Sequence, residues 1–121
     1  MPDAARLYRW DDLPQDAPMA LITRKRVIGD RMMISSVRLA KGFALASHRH
    51  ENEQIVVVLS GRCRFGLGEE GTKEHREVEV RGGDVLHLPS NVPHSCQALE
   101  ETAILDLFSP VSEKTGVDRG R

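Results

Sequence analysis

Alternating polar and apolar residues, interrupted by turns that contain glycine or proline, run along most of this chain and predict short β-strands. No stretch shows a convincing helical period. Many short strands with turns between them favour an all-β fold, either an antiparallel sandwich or a barrel. The predicted strands are 32–39, 55–59, 62–67, 77–80, 85–88, 95–99 and 103–109.

The two ends of the chain are more polar than its middle. Residues 1–31 contain several prolines and predict an N-terminal arm, in which 7–10 fit a short strand or an arm. Within it, residues 19–23 and 24–28 fit short strands or one hairpin. The basic run Arg24-Lys25-Arg26 predicts a solvated edge that discourages pairing with another sheet. Residues 111–121 predict a polar tail that frays.

Composition and charge narrow the classes of function. The 121 residues fit one domain, and a net charge of -1 with acids and bases mixed along the chain indicates no nucleic-acid partner. No apolar run reaches the length of a membrane span, and no signal-peptide core follows Met1, so we expect a cytoplasmic protein without a membrane partner. Cys63 and Cys96 are expected to be reduced thiols for the same reason.

Candidate metal ligands cluster within residues 42–61. His48 and His50 are one residue apart, so both rings leave the same face of an extended strand. Gln54 follows a polar step that predicts a tight turn. Two neighbouring strands then bring two imidazoles and an amide oxygen together, which suits divalent Mn, Fe, Ni, Cu or Zn. An isolated H-x-H pair is more often a pair of surface histidines.

A fourth candidate ligand, His94, lies within residues 82–98. Gly82-Gly83 predicts a turn, and the segment from Pro89 to Pro93 predicts a rigid loop that delivers His94 to the next strand.

Together the two stretches resemble the two motifs of the cupin superfamily, G-x5-H-x-H-x3-E-x6-G and G-x5-P-x-G-x2-H-x3-N. Three positions depart from these motifs: this chain has Gln54 where the motif has a ligating Glu, Asn91 where it has a Gly, and Ala98 where it has the final Asn. The matching residues are Gly42, His48, His50 and Gly61 in the first motif, and Gly83, Pro89 and His94 in the second.

The cupin resemblance covers about residues 32–110 and implies the double-stranded β-helix, a jelly-roll barrel with its site at the mouth. It implies one domain over residues 1–121, a small-molecule substrate and, as is common in that family, a homodimer. It also implies one divalent metal ion held by His48, His50, Gln54 and His94.

The last predicted strand carries one carboxylate among apolar neighbours. Alternation places Ile104, Asp106 and Phe108 on one face, with Leu105 and Leu107 on the other. Because both faces are apolar, we expect Asp106 to be buried, which is costly without a partner. It is either a structural residue bound to an arginine or to backbone amides, or an acid–base group that faces the metal.

The strings H-x-H-x-N-E-Q, N-x-P-H and L-D-x-F-S-P more narrowly resemble the KdgF-type cupins of pectin and alginate breakdown. This resemblance implies ring opening of 4,5-unsaturated monouronates to linear keto acids. That family often has an arginine shortly after the position of Pro110, where this chain has Val111-Ser112-Glu113-Lys114. The implied metal ligands are His48, His50, Gln54 and His94, and the implied catalytic residues are Asp106 and Phe108.

The sequence alone leaves three functions open. The resemblance favours a metal-dependent isomerase or tautomerase acting on a small sugar acid. The chemistry agrees, because a neutral Gln54 in place of Glu leaves the bound cation more Lewis-acidic. The alternatives are an Fe(II)-dependent cupin dioxygenase and a binding protein that leaves its small ligand unchanged.

Other polar residues near the motifs fit structural roles. His75 is expected to be solvated, and His87 to face away from the site. Glu53 is an alternative ligand if the register of the turn differs by one residue. Arg62 and Arg64 are candidates for anion recognition, although surface salt bridges are the commoner role of arginine.

Overall fold

The computed structural model describes residues 4–111. Within them the chain forms one 3₁₀ turn, Trp10–Asp12, and nine strands. None of the helical structure in this part of the chain is long and apolar enough to cross a membrane. In chain order the strands are β1 (Ile22–Ile28), β2 (Met33–Leu39), β3 (Ala44–His48), β4 (Glu53–Ser60), β5 (Arg62–Leu67), β6 (Arg76–Arg81), β7 (Val85–Leu88), β8 (His94–Ala98) and β9 (Thr102–Ser109).

Two antiparallel sheets pack face to face and enclose the core. The larger sheet has the strand order β1-β2-β9-β4-β7, and the smaller has β3-β8-β5-β6. Inward-facing positions alternate along each strand, as the period of two predicts. The all-β jelly roll expected from the sequence is therefore confirmed. Its buried apolar side chains include Val37, Leu39, Val56, Val58, Cys63, Phe65, Leu88 and Ile104.

The strand predictions hold after residue 32 and are less accurate before it. Strands 62–67 and 85–88 match to the residue, strands 32–39 and 103–109 shift by one residue at their first end, and the other three shift by one or two residues at both ends. Of the two segments 19–23 and 24–28, only residues 22–28 are extended, and they form a single strand, β1. Residues 19–21 lie in a bend and turn, in which Leu21 has φ 68°. Residues 7–10 form no strand. β1 is one of the two edge strands of the larger sheet. Of the predicted tail, residues 112–121 lie outside the described residues.

The prediction that the two histidines and Gln54 lie on neighbouring strands is wrong. β3 belongs to the smaller sheet and β4 to the larger. Residues 49–52 therefore form a corner that crosses from one sheet to the other and do not close a hairpin. Asn52 anchors this corner by donating its side-chain amide to the carbonyl of Pro110. The N–H of Asn91 also donates to the carbonyl of His50, at 2.8 Å.

Asn91 shows why the second cupin motif has glycine at this position. Its φ is 65°, in the left-handed region that glycine adopts freely and that asparagine tolerates better than most residues. The substitution therefore preserves the loop that leads to His94.

Gly61, in the turn from β4 to β5, offers a test of the fold. Its φ is 89°, and a Cβ there would lie 2.6 Å from the Cα of Thr102. We expect Gly61→Ala to lower the free energy of unfolding by about 2–5 kcal/mol, from left-handed strain plus overpacking. Gly83→Ala is the matched control, because Gly83 has φ 99° but open space around it. Chemical denaturation of both variants measures the difference, and equal losses would contradict the steric argument.

Candidate metal and catalytic site

Three histidines meet at one end of the barrel interior. His48 ends β3 and pairs with His94, which begins β8, while His50 lies in the corner that follows. The ring centroids of His48 and His94 are 4.4 Å apart, and that of His50 is 5.6 and 5.0 Å from them. One nitrogen of each ring lies within 4.8 Å of the others. The sequence prediction that these three side chains converge is confirmed.

Each imidazole is oriented by a backbone carbonyl. Because a carbonyl oxygen only accepts hydrogen bonds, Nδ1 carries the proton in each ring, and Nε2 keeps its lone pair for a metal ion. Metal-binding histidines are commonly oriented in this way. The Nδ1 atoms of His48, His50 and His94 lie 3.1, 2.9 and 2.9 Å from the carbonyl oxygens of Ala46, Asn52 and Val92, respectively.

Two further observations fit a metal ion at this point. Among the described residues, Nε2 of His50 is buried and has no hydrogen-bond partner, which is costly unless a ligand satisfies it. Burial, opposed by the Val92 carbonyl and assisted by His48 and His50, lowers the pKa of His94 to about 4. His94 is therefore neutral at physiological pH, which is the form that binds a metal.

Gln54 lies beside the histidines on the inner face of β4. Its side chain is buried and borders the same cavity as His48 and His50. Its Nε2 donates to Oδ1 of Asp106 at 2.9 Å, so only its carbonyl oxygen, Oε1, can serve as a metal donor. Its role as a fourth ligand stays a prediction.

Asp106 faces inward from β9, as the alternation predicted, between Ile104 and Phe108. It keeps partial exposure through the cavity that it lines. Burial raises the pKa of Asp106 to about 6, although the hydrogen bond from Gln54 and the positive charge of Arg24 both lower it. A carboxyl group with such a pKa is suited to giving and taking a proton near neutrality.

Phe108 contributes an apolar wall to the site. Its side chain is buried, and its ring centroid lies 5.9 Å from that of His50 in an edge-to-face arrangement. Without a polar atom it can shape the cavity and hold the imidazole, but it cannot move a proton. Its place among the catalytic residues stays a prediction.

Arg24 is the site residue that the sequence reasoning missed. The prediction of a solvated edge is wrong for it, because Arg24 is only 5% exposed and borders the cavity with Asp106. Its guanidinium donates to both carboxylate oxygens of Asp16. The signal in the sequence was alternation: Ile22 is apolar, and the period of two places Arg24 on the same face of the strand.

The cavity between the two sheets is small, with a volume of about 60 Å³. Its lining comes from β1, β2, β4 and β9 of the larger sheet and from β3 and the corner that follows it. The residues are Ile22, Arg24, Ser35, Val37, Leu45, His48, His50, Gln54, Asp106 and Phe108.

The remaining candidates lie outside this cavity. Glu53 is exposed and accepts a hydrogen bond from His87 at 2.7 Å on the outer face, so Glu53 is not an alternative ligand and His87 faces away as predicted. Arg62 forms surface ion pairs with Glu79 and Glu100. Arg64 is exposed.

His75 is half-buried against the carbonyl of Gly68, so the prediction that it is solvated is wrong. Cys63 and Cys96 are free thiols, as expected. A hydrogen bond between the two thiols lowers the pKa of Cys63 to about 7 and raises that of Cys96.

Comparison with known proteins identifies the domain. The sequence profile of the cupin domain matches residues 35–108, a range that includes the three histidines, Gln54 and Asp106. The structure of KdgF from a Halomonas species is similar with a TM-score of 0.78 and 26% sequence identity. The match covers 89% of this chain and 97% of that one.

Curated relatives match over shorter parts of their own length. Elongation factor Ts of Vibrio atlanticus is 39% identical over 80 residues, which are 65% of this chain and 25% of that protein. Rat 3-hydroxyanthranilate 3,4-dioxygenase is 38% identical over 55 residues, 46% of this chain and 18% of that protein. Oxalate decarboxylase OxdC of Bacillus subtilis is 30% identical over 80 residues, 66% of this chain and 20% of that protein. The chain thus spans a quarter or less of these relatives, whose names differ widely.

Proposed function

This chain belongs to the cupin family, and we propose that it is a metal-dependent isomerase that opens the ring of a small sugar acid, such as a 4,5-unsaturated monouronate. One observation carries the proposal: three oriented imidazoles converge, and two of them, those of His48 and His50, border the same cavity as the hydrogen-bonded pair Gln54–Asp106. The similarity to KdgF over nearly the whole of both chains supports this choice of substrate class.

The donor set fits a divalent transition metal ion. Nε2 of His48, His50 and His94 and Oε1 of Gln54 would hold it, and the ion would supply Lewis acidity to a substrate oxygen. None of these four donors is negatively charged, so the ion keeps more of its charge for the substrate than it would with a Glu ligand.

Asp106 is the group that moves the proton in this proposal. It takes the proton of the anomeric hydroxyl, a C1=O double bond forms, and the bond between C1 and the ring oxygen breaks. The electron pair from that bond passes through the ring oxygen and the C4–C5 double bond, and Asp106 returns the proton at C4. The product is a linear isomer with a ketone at C5, so no oxidant or reductant is consumed.

Gln54 and Phe108, which are paired with each other across β4 and β9, support this step beside Asp106. The amide of Gln54 donates to Oδ1 of Asp106 and so fixes the direction in which the carboxylate faces. Phe108 keeps the adjoining wall apolar, which limits the access of water to the proton in transfer.

A second candidate is an Fe(II)-dependent dioxygenase, favoured by the similarity to 3-hydroxyanthranilate 3,4-dioxygenase. The two functions differ in the fate of molecular oxygen. Consumption of oxygen with the substrate would identify the dioxygenase, whereas an unchanged ligand would identify a binding protein.

The proposed function is tested by NMR of an unsaturated monouronate incubated with metal-loaded protein in the absence of oxygen. We expect the linear keto acid to form at a rate that is proportional to the enzyme concentration. Metal-free protein is the control for spontaneous ring opening. A rate that does not exceed this control, or a reaction that requires oxygen, would overturn the proposal.

Gln54→Glu tests the role of the neutral ligand. The new carboxylate should retain or tighten metal binding, yet lower kcat by about 10-fold or more, because it reduces the Lewis acidity of the ion and places a second carboxylate beside Asp106. Calorimetry and the NMR assay measure the two effects. Glu53→Gln is the control, since Glu53 lies one residue away on the outer face and its replacement should change neither. A severalfold rise in the activity of Gln54→Glu would contradict this account.

A further inference from the structure

Arg24 places a cation on the wall of the site. Its side chain is 4% exposed and borders the same cavity as His48, His50 and Asp106. Ile22, its neighbour on the inner face of β1, belongs to the hydrophobic core. A guanidinium withdrawn from water in such surroundings is costly to keep unless anionic groups balance it.

Asp16 holds this guanidinium in one orientation. Its Oδ1 accepts from Nε of Arg24 at 2.9 Å, and its Oδ2 accepts from Nη2 at 3.1 Å. The backbones of the two residues also exchange two hydrogen bonds of 3.0 Å each. The same carboxylate lies 3.6 Å from Nη2 of Arg26, so one exposed aspartate is shared between two arginines.

We propose that Arg24 binds the carboxylate of the substrate and makes the site selective for sugar acids over neutral sugars. This inference rests on the proposed function, which supplies the reaction at C1 and C4 of the sugar. The planar guanidinium matches a carboxylate better than a lysine ammonium does, through paired N–H donors. Among the described residues that line the cavity, Arg24 is the only basic side chain apart from the imidazoles. Asp16 acts as its positioning residue.

The size of the cavity agrees with this placement. At about 60 Å³ it is well below the range of about 300–1,000 Å³ that is usual for sites enclosing a whole ligand. In a hexuronate the carboxylate is attached to C5 and the anomeric hydroxyl to C1, and both carbons flank the ring oxygen. One edge of the sugar therefore carries both groups, and only that edge has to enter between Arg24 and the histidines.

The test uses two probes, D-galacturonate and D-galactose, which differ only in the group at C6. We expect metal-loaded wild-type protein to bind the acid about 10–100-fold more tightly than the neutral sugar, as a charge-assisted contact provides. In Arg24→Met this preference should fall to within about twofold, with the affinity for galactose unchanged. Isothermal titration calorimetry measures all four affinities.

Three controls separate Arg24 from other causes. Titration of metal-free protein removes the attraction of the metal itself for a carboxylate. The preference for galacturonate should still depend on Arg24 in that protein. Arg38→Met removes the same charge from the exposed side of β2 and should leave the preference intact. If Arg24→Met does not fold, Arg24→Lys replaces it. Lysine lacks the paired N–H donors of the guanidinium, so the preference for galacturonate over galactose should drop by about 10-fold.

The outcomes distinguish this inference from the proposed function. If wild-type protein opens no unsaturated monouronate but prefers galacturonate through Arg24, the function fails and the inference stands. If ring opening occurs and Arg24→Met leaves the KM for the uronate unchanged, the inference alone fails. Equal binding of the two sugars by wild-type protein, or an undiminished preference in Arg24→Lys, would also overturn it.

Discussion

Replacement of His94 with alanine is expected to weaken metal binding by at least about 100-fold, more than the loss of a group that merely orients a ligand. His94 is one of three imidazoles whose donor atoms lie within 4.8 Å of one another, and its ring is kept neutral by burial. Two histidines and an amide oxygen would remain, which is too few strong donors to retain the ion through dialysis. Metal analysis of the dialysed protein measures the loss.

His87→Ala is the matched control for this variant. It also removes one imidazole, but His87 lies on the outer face, where it pairs with Glu53. Because His94 is buried, a thermal melt of metal-free His94→Ala should accompany the measurement and show that the barrel is folded. A folded His94→Ala protein that keeps one ion per chain would contradict the assignment of this histidine.

Asp106→Asn is expected to reduce kcat by about 10²–10⁴-fold, the range typical of a lost general acid–base group. The new side chain has nearly the same shape, and its Oδ1 can still accept the hydrogen bond that Gln54 donates to Asp106. The metal site and the fold should therefore persist while the proton acceptor is lost. Metal content and the rate of ring opening, measured on one preparation, test this expectation.

The same variant separates a catalytic Asp106 from a structural one. Burial disfavours the ionised carboxylate, as its raised pKa indicates, so a neutral asparagine is not expected to lower the melting temperature. Asp84→Asn, which removes an exposed carboxylate bonded to the N–H of Arg81, controls for the loss of charge. A destabilised but fully active Asp106→Asn protein would assign Asp106 a structural role.

Features set by local sequence could be predicted. The period of two placed Asp106 and Phe108 on one inner face, and turn residues located strands β5 and β7 to the residue. The convergence of His48, His50 and His94 was predicted from the resemblance to the two cupin motifs, whose spacing these residues match. These predictions needed no knowledge of which strands pair.

Features set by distant contacts could not be predicted. The assignment of β3 and β4 to different sheets depends on pairing with β8 and β9, which are far away along the chain. Arg24 sits in a basic run that resembles a solvated edge, and only its contact with Asp16 and its burial beside the cavity show otherwise. Likewise, the partner of Asp106 is Gln54, rather than an arginine or backbone amides, since the pairing of β4 with β9 brings them together.

X-ray absorption spectroscopy, at the edge of the metal that the purified protein retains, tests the proposed three-histidine metal site most directly. We expect one ion per chain with three imidazole nitrogens at about 2.1 Å and oxygen donors in its remaining positions. In Gln54→Ala, the three nitrogens should persist, while the oxygen shell changes. An ion with fewer than three imidazole ligands, or one whose shell is the same in His94→Ala, would contradict the site described here and the function proposed for it.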